Sequence, residues 1–189
     1  MAENSQISMP LLVVVTGRPG SGKTTLAHDL ARAVRCPAVC RDEIKEGLIN
    51  TLGQGAPHDD RDLALKANGA FFETICKLLD LRISLIAEAA FQHHLWTPKL
   101  EPFRGVARMQ IIVCTVHPAL ARSRCIDRFK ADPTREHYHP DPAVLAQREG
   151  RDAPLPTYEP PRLDVPTMTV DTSDGYRPAF EDVLSFARG

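Results

Sequence analysis

The chain has 189 residues, of which 43% are hydrophobic and 25% charged, and its formal net charge is -1. This composition is typical of a globular protein with one sizeable core, and it excludes a disordered or low-complexity chain. A net charge so close to zero provides no global field that attracts nucleic acid or an anionic membrane, so any anion must be bound by a local arrangement. We expect a single domain over residues 1–189.

The cysteines and the N-terminus indicate the cellular compartment of the protein. Five cysteines are scattered along the chain without a CxxC pair, which favours reduced, buried thiols in a cytoplasm over a disulfide scaffold. The first residues lack the basic region of a signal peptide, and the apolar run at residues 11–15 is far too short to span a bilayer. We therefore predict a cytoplasmic protein with no membrane association.

The first predicted elements surround a glycine-rich loop. Residues 11–15 are aliphatic and mostly β-branched, which predicts a strand buried on both faces of a parallel sheet. The run leads into Gly-Arg-Pro-Gly-Ser-Gly-Lys-Thr at residues 17–24, which matches the pattern GxxxxGK[ST]. Apolar residues then recur at helical spacing from Leu26 to Val34. In this order of strand, loop and helix, backbone N–H groups meet phosphate oxygens at a helix N-terminus.

The loop predicts a site for a nucleoside triphosphate, with ATP and Mg²⁺ as the expected ligands. Lys23 would contact the β- and γ-phosphates, Thr24 would bind Mg²⁺, and Thr25 would contact the α-phosphate. The predicted nucleotide-binding residues are Gly17, Arg18, Pro19, Gly20, Ser21, Gly22, Lys23, Thr24 and Thr25.

An acidic residue follows the second predicted strand. The short apolar piece at residues 37–40 precedes Asp42, which the topology of an α/β sheet would place beside the mouth of the glycine-rich loop. There its carboxylate is a candidate general base for an acceptor hydroxyl, and the alternative is an ordinary helix N-cap. Arg41 and Lys45 flank it, either to bind a charged acceptor or as solvated surface residues.

A second acid ends the third predicted strand. A long amphipathic helix from Leu63 to Leu78 precedes the buried strand at residues 83–87, and Glu88 follows it. A metal-binding or water-ordering acid is common at this place, although the usual residue is Asp. The extra methylene of Glu88 leaves three roles open, namely Mg²⁺ binding, contact through water or with the acceptor, and a purely structural one.

Arginines line the helix that follows the fourth predicted strand, residues 110–116. Pro118 suits the first turn of that helix, and Arg124 and Arg128 lie four apart on one face. Guanidinium groups suit phosphate oxygens and stabilise charge on a transferring phosphoryl group, and Arg122 and Arg135 are possible additions. A solvated basic face is the alternative.

The last third of the chain is irregular before it closes with a strand at residues 167–170 and a helix at 179–187. Prolines are frequent between residues 131 and 166, where only a short helix near residues 144–147 is expected. The histidine pairs at 93–94 and 137/139 have no Cys or His partners at structural zinc spacing, so we predict no zinc site.

In these motifs the chain resembles the small P-loop kinases of the group that holds chloramphenicol phosphotransferase, zeta toxin and the kinase domain of polynucleotide kinase, often assigned simply to the AAA-family ATPases. The resemblance spans nearly the whole chain and rests on residues 17–24, 41–45, 85–91 and 122–128. It implies a three-layer α/β/α P-loop NTPase fold with five parallel strands in the order 2-3-1-4-5. It also implies an arginine-bearing lid, within a lid and Pro-rich excursion at about residues 128–166.

The same resemblance implies roles for individual residues. The acid matching Asp42 activates an acceptor hydroxyl, the arginines matching Arg124 and Arg128 close over ATP, and residues 171–175 look like a loop near the adenine. We expect transfer of the ATP γ-phosphoryl group to a hydroxyl of a small molecule or a nucleic acid end. The alternatives are an ATPase that acts as a conformational switch, against which the chain has no NKxD motif and no hydrophobic run ending in Asp-Glu, and a nucleotide-binding module without catalysis.

Overall fold

The computed structural model describes residues 9–52, 60–139 and 157–189. The strands are Leu11–Gly17 (β1), Ala38–Cys40 (β2), Leu85–Ala89 (β3), Arg108–Thr115 (β4) and Thr167–Asp171 (β5). The helices are Lys23–Val34 (α1), Arg41–Leu52 (α2), Asp60–Asp80 (α3), His93–Leu100 (α4), Pro118–Ala131 (α5), Arg135–Tyr138 (α6) and Phe180–Arg188 (α7), and a 3₁₀ turn covers Glu101–Gly105.

The strands form one parallel sheet in the order 2-3-1-4-5, which confirms the expected topology. β1 lies at the centre, between β3 and β4. Its register places Val15 opposite Glu88 of β3 and Gly17 opposite Cys114 of β4. In an open parallel sheet, ligands bind at the carboxyl ends of the strands, on both sides of the point where the strand order reverses. The glycine-rich loop leaves β1 at this point.

β1 is buried along its whole length because its two faces contribute to two separate cores. Leu12 and Val14 pack in one core with side chains of α3 and α4. Leu11, Val13 and Val15 pack in the other with side chains of α1 and α7. Helices therefore cover both faces, and the three-layer α/β/α prediction is confirmed.

Some boundaries differ from the predicted ones. The apolar run that predicts a strand from residue 83 begins instead in a turn, where Arg82 has φ 62° and Ile83 is exposed. β3 thus runs from Leu85 to Ala89, and Glu88 lies inside the strand and not after it. Helix α2 begins at Arg41, so Asp42 stands in its first turn and not at the N-cap.

Other differences concern elements without a clear sequence pattern. Helix α4 contains Pro98 and had no predicted counterpart, and the four-residue α6 was also unexpected. The expectation of buried cysteines is wrong for Cys76, which is exposed on α3. The short helix expected near residues 144–147 lies outside the described residues. Among the helices that the structure describes, none is long and apolar enough to cross a membrane.

Candidate active site

The glycine-rich loop is tightly packed against the start of α5. Gly20 and Gly22 adopt φ values of 79° and 74°, which side-chain-bearing residues rarely take up. A Cβ atom on Gly20 would lie only 2.3 Å from the carbonyl oxygen of Ala121, so no larger residue fits there. Ser21 N donates a hydrogen bond to the Arg18 carbonyl oxygen at 3.1 Å and closes the turn. This conformation leads directly into the N-terminus of α1, where phosphate groups bind.

Thr172, directly after β5, connects the loop to two other elements. Its buried hydroxyl donates to the Ser21 carbonyl oxygen at 2.7 Å, and its backbone N–H donates to the Thr115 carbonyl oxygen at 3.0 Å. Arg124 of α5 donates from one guanidinium nitrogen to the carbonyl oxygens of Thr172 at 2.7 Å and Ser173 at 3.0 Å. The sequence predicts only a loop near the adenine at residues 171–175, and not the contact of Thr172 with Ser21, because a contact across about 150 positions leaves no local pattern.

Lys23, Thr24 and Glu88 meet beside the loop. Lys23 Nζ lies 3.5 Å from Glu88 Oε1, and Thr24 Oγ1 donates to Glu88 Oε2 at 3.0 Å. The side chains of Lys23 and Glu88 are only 9% and 2% exposed. Burial raises the pKa of Glu88, and the Asp42 carboxylate raises it further, against the opposing charge of Lys23 and the hydrogen bond from Thr24.

The donor set at this position suits Mg²⁺. A carboxylate and a hydroxyl group are hard oxygen ligands, which Mg²⁺ prefers, and it commonly completes its shell with water and substrate phosphates. The structure thus brings Thr24 and Glu88 together as the sequence analysis expects of a metal site, and their role as ligands stays a prediction.

Asp42 lies in the first turn of α2, near Lys23 and Glu88, and we call the space between α2 and the glycine-rich loop the cleft. Its side chain is 52% exposed, and Arg41 donates to its Oδ1 at 3.0 Å. Arg41 is held in turn by Asn68 Oδ1 of α3 at 2.9 Å. Burial acts to raise the pKa of Asp42, but the charges of Lys23, His139 and Arg41 outweigh it, and the net pKa is lowered. At neutral pH the group is therefore a carboxylate that can accept a proton.

The segment after α5 crosses to α2, close to Asp42. His139 Nε2 lies 2.7 Å from Glu46 Oε1, and the Tyr138 hydroxyl donates to Asn50 Oδ1 at 2.8 Å. Lys45 of α2 is buried, and its Nζ lies 3.5 Å from Asp60 Oδ1. The alternative that Lys45 is a solvated surface residue is therefore wrong. Arg41 and Lys45 thus help to hold α2 against α3.

Arg124 and Arg128 differ in what they contact. Arg124 is half-buried, and its guanidinium group donates hydrogen bonds to the β5–α7 loop, as described above. Arg128 is exposed, and it donates from Nε to the Arg124 carbonyl oxygen at 3.2 Å and from Nη2 to Cys125 Sγ at 3.3 Å. Both arginines belong to the helix whose Ala121 contacts the glycine-rich loop, and their role toward phosphate stays a prediction.

A buried polar network lies behind the loop at the end of β1. The Thr16 hydroxyl donates to the Ala89 carbonyl oxygen at 2.8 Å, accepts from Trp96 Nε1 at 3.0 Å, and also contacts the Tyr158 hydroxyl. Because the Thr16 proton is already used, Tyr158 is the donor in that last contact. Burial raises the pKa of Tyr158 to about 12, so it keeps this proton at neutral pH. His93 Nδ1, which accepts from Arg162 N at 3.2 Å, helps to hold the same segment.

Comparisons with known proteins agree with this fold. The AAA domain family matches residues 12–154, about three quarters of the chain. A crystal structure described as that of a candidate kinase from Chloroflexus aurantiacus is 26% identical, with a TM-score of 0.77, and the alignment covers 96% of this chain and 98% of that one. No curated protein is significantly similar in sequence.

Two more distant structures share the fold. A gluconokinase from Sinorhizobium meliloti is 19% identical, with a TM-score of 0.56 over 95% of this chain and 91% of its own. The APS kinase of Mycobacterium tuberculosis, solved with AMPPNP and APS, is 15% identical, with a TM-score of 0.58 over 96% of this chain and 99% of its own. At these identities the likeness shows the fold alone, an α/β P-loop NTPase fold of the kind found in small kinases.

Proposed function

The chain belongs to the AAA domain family of P-loop proteins, and on that premise we propose that it transfers the γ-phosphoryl group of ATP to a hydroxyl group on a small molecule or a nucleic acid end. One observation carries the proposal. Asp42 is an ionised, half-exposed carboxylate on α2, outside the nucleotide loop, yet near enough to Lys23 for that charge to lower its pKa. A general base for an acceptor is expected at such a place.

The proposed roles fall on two sides of one cleft, one for the phosphoryl donor and one for the acceptor. The N-terminus of α1 and Lys23 bind and orient the β- and γ-phosphates, and Arg124 and Arg128 lower the energy of charge that develops during transfer. Thr24 and Glu88 would hold Mg²⁺, which neutralises charge on the phosphate oxygens when it is bound. Asp42 accepts the proton of the acceptor hydroxyl, and Arg41 keeps its carboxylate in position.

The kinases that share the fold support a hydroxyl acceptor and leave its identity open. One neighbour is a gluconokinase and another an APS kinase, and a third structure with this fold belongs to an RNA repair complex. For this chain the acceptor class remains a small molecule or a nucleic acid end. The competing function is an ATPase or switch that needs no acceptor, and Asp42 has no evident purpose there.

The test uses Asp42→Asn, which keeps the size of the side chain and removes its basicity. We expect acceptor-dependent kcat to fall about a hundredfold or more, the scale of general-base loss, with a Kd for a non-hydrolysable ATP analogue within about threefold of wild type. The acceptor is found first, by screening hydroxyl compounds and 5′-hydroxyl oligonucleotides for ADP release and mass gain. The matched control is Asp62→Asn, an exposed acid in the first turn of α3, which should behave as wild type.

Two results would count against the proposal. If nucleotide affinity collapses in Asp42→Asn while relative acceptor turnover is unchanged, Asp42 belongs to the metal site and Glu88 becomes the better candidate for the base. If wild-type protein hydrolyses ATP at a rate that no acceptor changes, the ATPase alternative replaces the kinase.

A further inference from the structure

A second cluster of side chains joins α1, β2 and α2, and its member Cys40 is the neighbour of Glu88 in the sheet. His28 comes from the second turn of α1, Cys40 ends β2, and Glu43 is in the first turn of α2. Each offers one ligand atom, and these three atoms all lie within 4.8 Å of one another. The cluster has a thiol, an imidazole and a carboxylate, the three side-chain types that bind Zn²⁺ in proteins.

We propose that His28, Cys40 and Glu43 form a binding site for a zinc-class divalent cation that links α1 to α2. The sequence pattern predicts no zinc site, because the histidine pairs at 93–94 and 137/139 lack partners at zinc spacing and residues 28, 40 and 43 match no motif. The fold, and not the order of residues, brings the three ligands together.

The distance between the sulfur and nitrogen ligand atoms is close to that of a tetrahedral site. Zn–S and Zn–N bonds of about 2.3 and 2.0 Å at the tetrahedral angle place sulfur and nitrogen about 3.5 Å apart. Cys40 Sγ and His28 Nε2 are 3.7 Å apart. His28 Nε2 and Glu43 Oε1 are 2.6 Å apart, and this pair must widen to about 3.3 Å around an ion. Their side chains are 39% and 49% exposed, so both have room to move.

The three residues also explain which ion fits and how it enters. Cys40 is buried, whereas the exposed parts of His28 and Glu43 face solvent, so an ion would enter from their side and reach the thiol last. Binding replaces the thiol proton, which leaves to solvent. Three protein ligands leave the fourth position to water. Mg²⁺ prefers six oxygen ligands and should not compete here.

The experiment uses the full chain, stripped of metal under a non-thiol reductant and titrated with Zn²⁺ alone against a chromophoric chelator, without nucleotide. We expect one ion per chain with a Kd of about 1 μM or below, unchanged by millimolar Mg²⁺. Co²⁺ in place of Zn²⁺ should give a thiolate charge-transfer absorption that Cys40→Ser removes. His28→Gln and Glu43→Gln should each weaken Zn²⁺ binding at least about tenfold.

Matched controls use the same residue types elsewhere. Cys76→Ser on α3 and His94→Gln on α4 are both exposed in the wild-type chain and should bind Zn²⁺ as wild type does. Because Cys40 is buried and its variant risks misfolding, the half-exposed His28 and Glu43 variants decide the matter. The proposal is overturned if Zn²⁺ does not bind or if those two variants bind it unchanged. None of these results bears on phosphoryl transfer.

Discussion

The two sides of the cleft are built differently. On the donor side, Lys23 and Glu88 are almost fully buried and Thr172 ties the loop to β4 and α5. On the acceptor side, the side chains of Asp42 and Glu46 are 52% and 37% exposed. Tyr138 and His139, which follow α5, contact α2 through one hydrogen bond each.

This difference matches what each side must recognise. A triphosphate presents the same oxygens in every kinase, so a fixed, buried cradle of backbone N–H groups serves all of them. The acceptor varies between kinases, and exposed side chains on α2 can change without disturbing a core. The glycine-rich motif therefore indicates the phosphoryl donor, whereas the acceptor must be identified by experiment.

The largest expected effect is on the donor side. Lys23→Ala should lower kcat/KM for phosphoryl transfer about a hundredfold to a thousandfold, because it removes a preorganised charge from the phosphates. The fold should survive, since Glu88 keeps its hydrogen bond from Thr24 and can take up a proton. Turnover and thermal melting would be measured beside Lys77→Ala, an exposed lysine on α3. Near-normal turnover in Lys23→Ala would remove the assignment of the loop.

A smaller effect is expected where α5 faces the cleft. Arg128→Ala should lower kcat at least about tenfold with a smaller change in ATP affinity, and the double variant with Arg124→Ala should lower it further. Only Arg124→Ala should also reduce the melting temperature, because only Arg124 holds the carbonyl oxygens of Thr172 and Ser173. Lys130→Ala on the same helix is the control. A change in stability without a change in kcat would make both arginines structural.

The smallest effect compares two tyrosines, one from each side. Tyr158→Phe removes the donor to the buried Thr16 hydroxyl and should lower the free energy of unfolding by about 1 kcal/mol, or the melting temperature by about 2–4 °C. Tyr138→Phe removes a solvent-exposed bond to Asn50 and should change that free energy by less than about 0.5 kcal/mol. Urea unfolding measures both. Equal losses would contradict the contrast between a rigid donor side and a looser acceptor side.

The sequence predicts the donor side better than the rest, for physical reasons. The loop, Asp42 and Glu88 were located because each follows or ends an apolar run, and strand runs are visible in one sequence. The strand order needed a family resemblance, since nothing in a strand states its neighbours. Helix α4 was missed because its histidines and Pro98 disturb the helical pattern. Contacts such as that of His28 with Cys40 depend on the packed fold.

The hydrogen bond from Thr172 to Ser21 has a consequence for the assembly of the protein during synthesis. It joins positions 151 residues apart, so it can form only after β5 has docked beside β4. Contacts of such long range form late, because the intervening chain must first be ordered. A growing chain therefore carries the complete glycine-rich sequence for most of its synthesis, while the hydrogen bond that fastens this loop to the end of β5 forms only once that strand has left the ribosome.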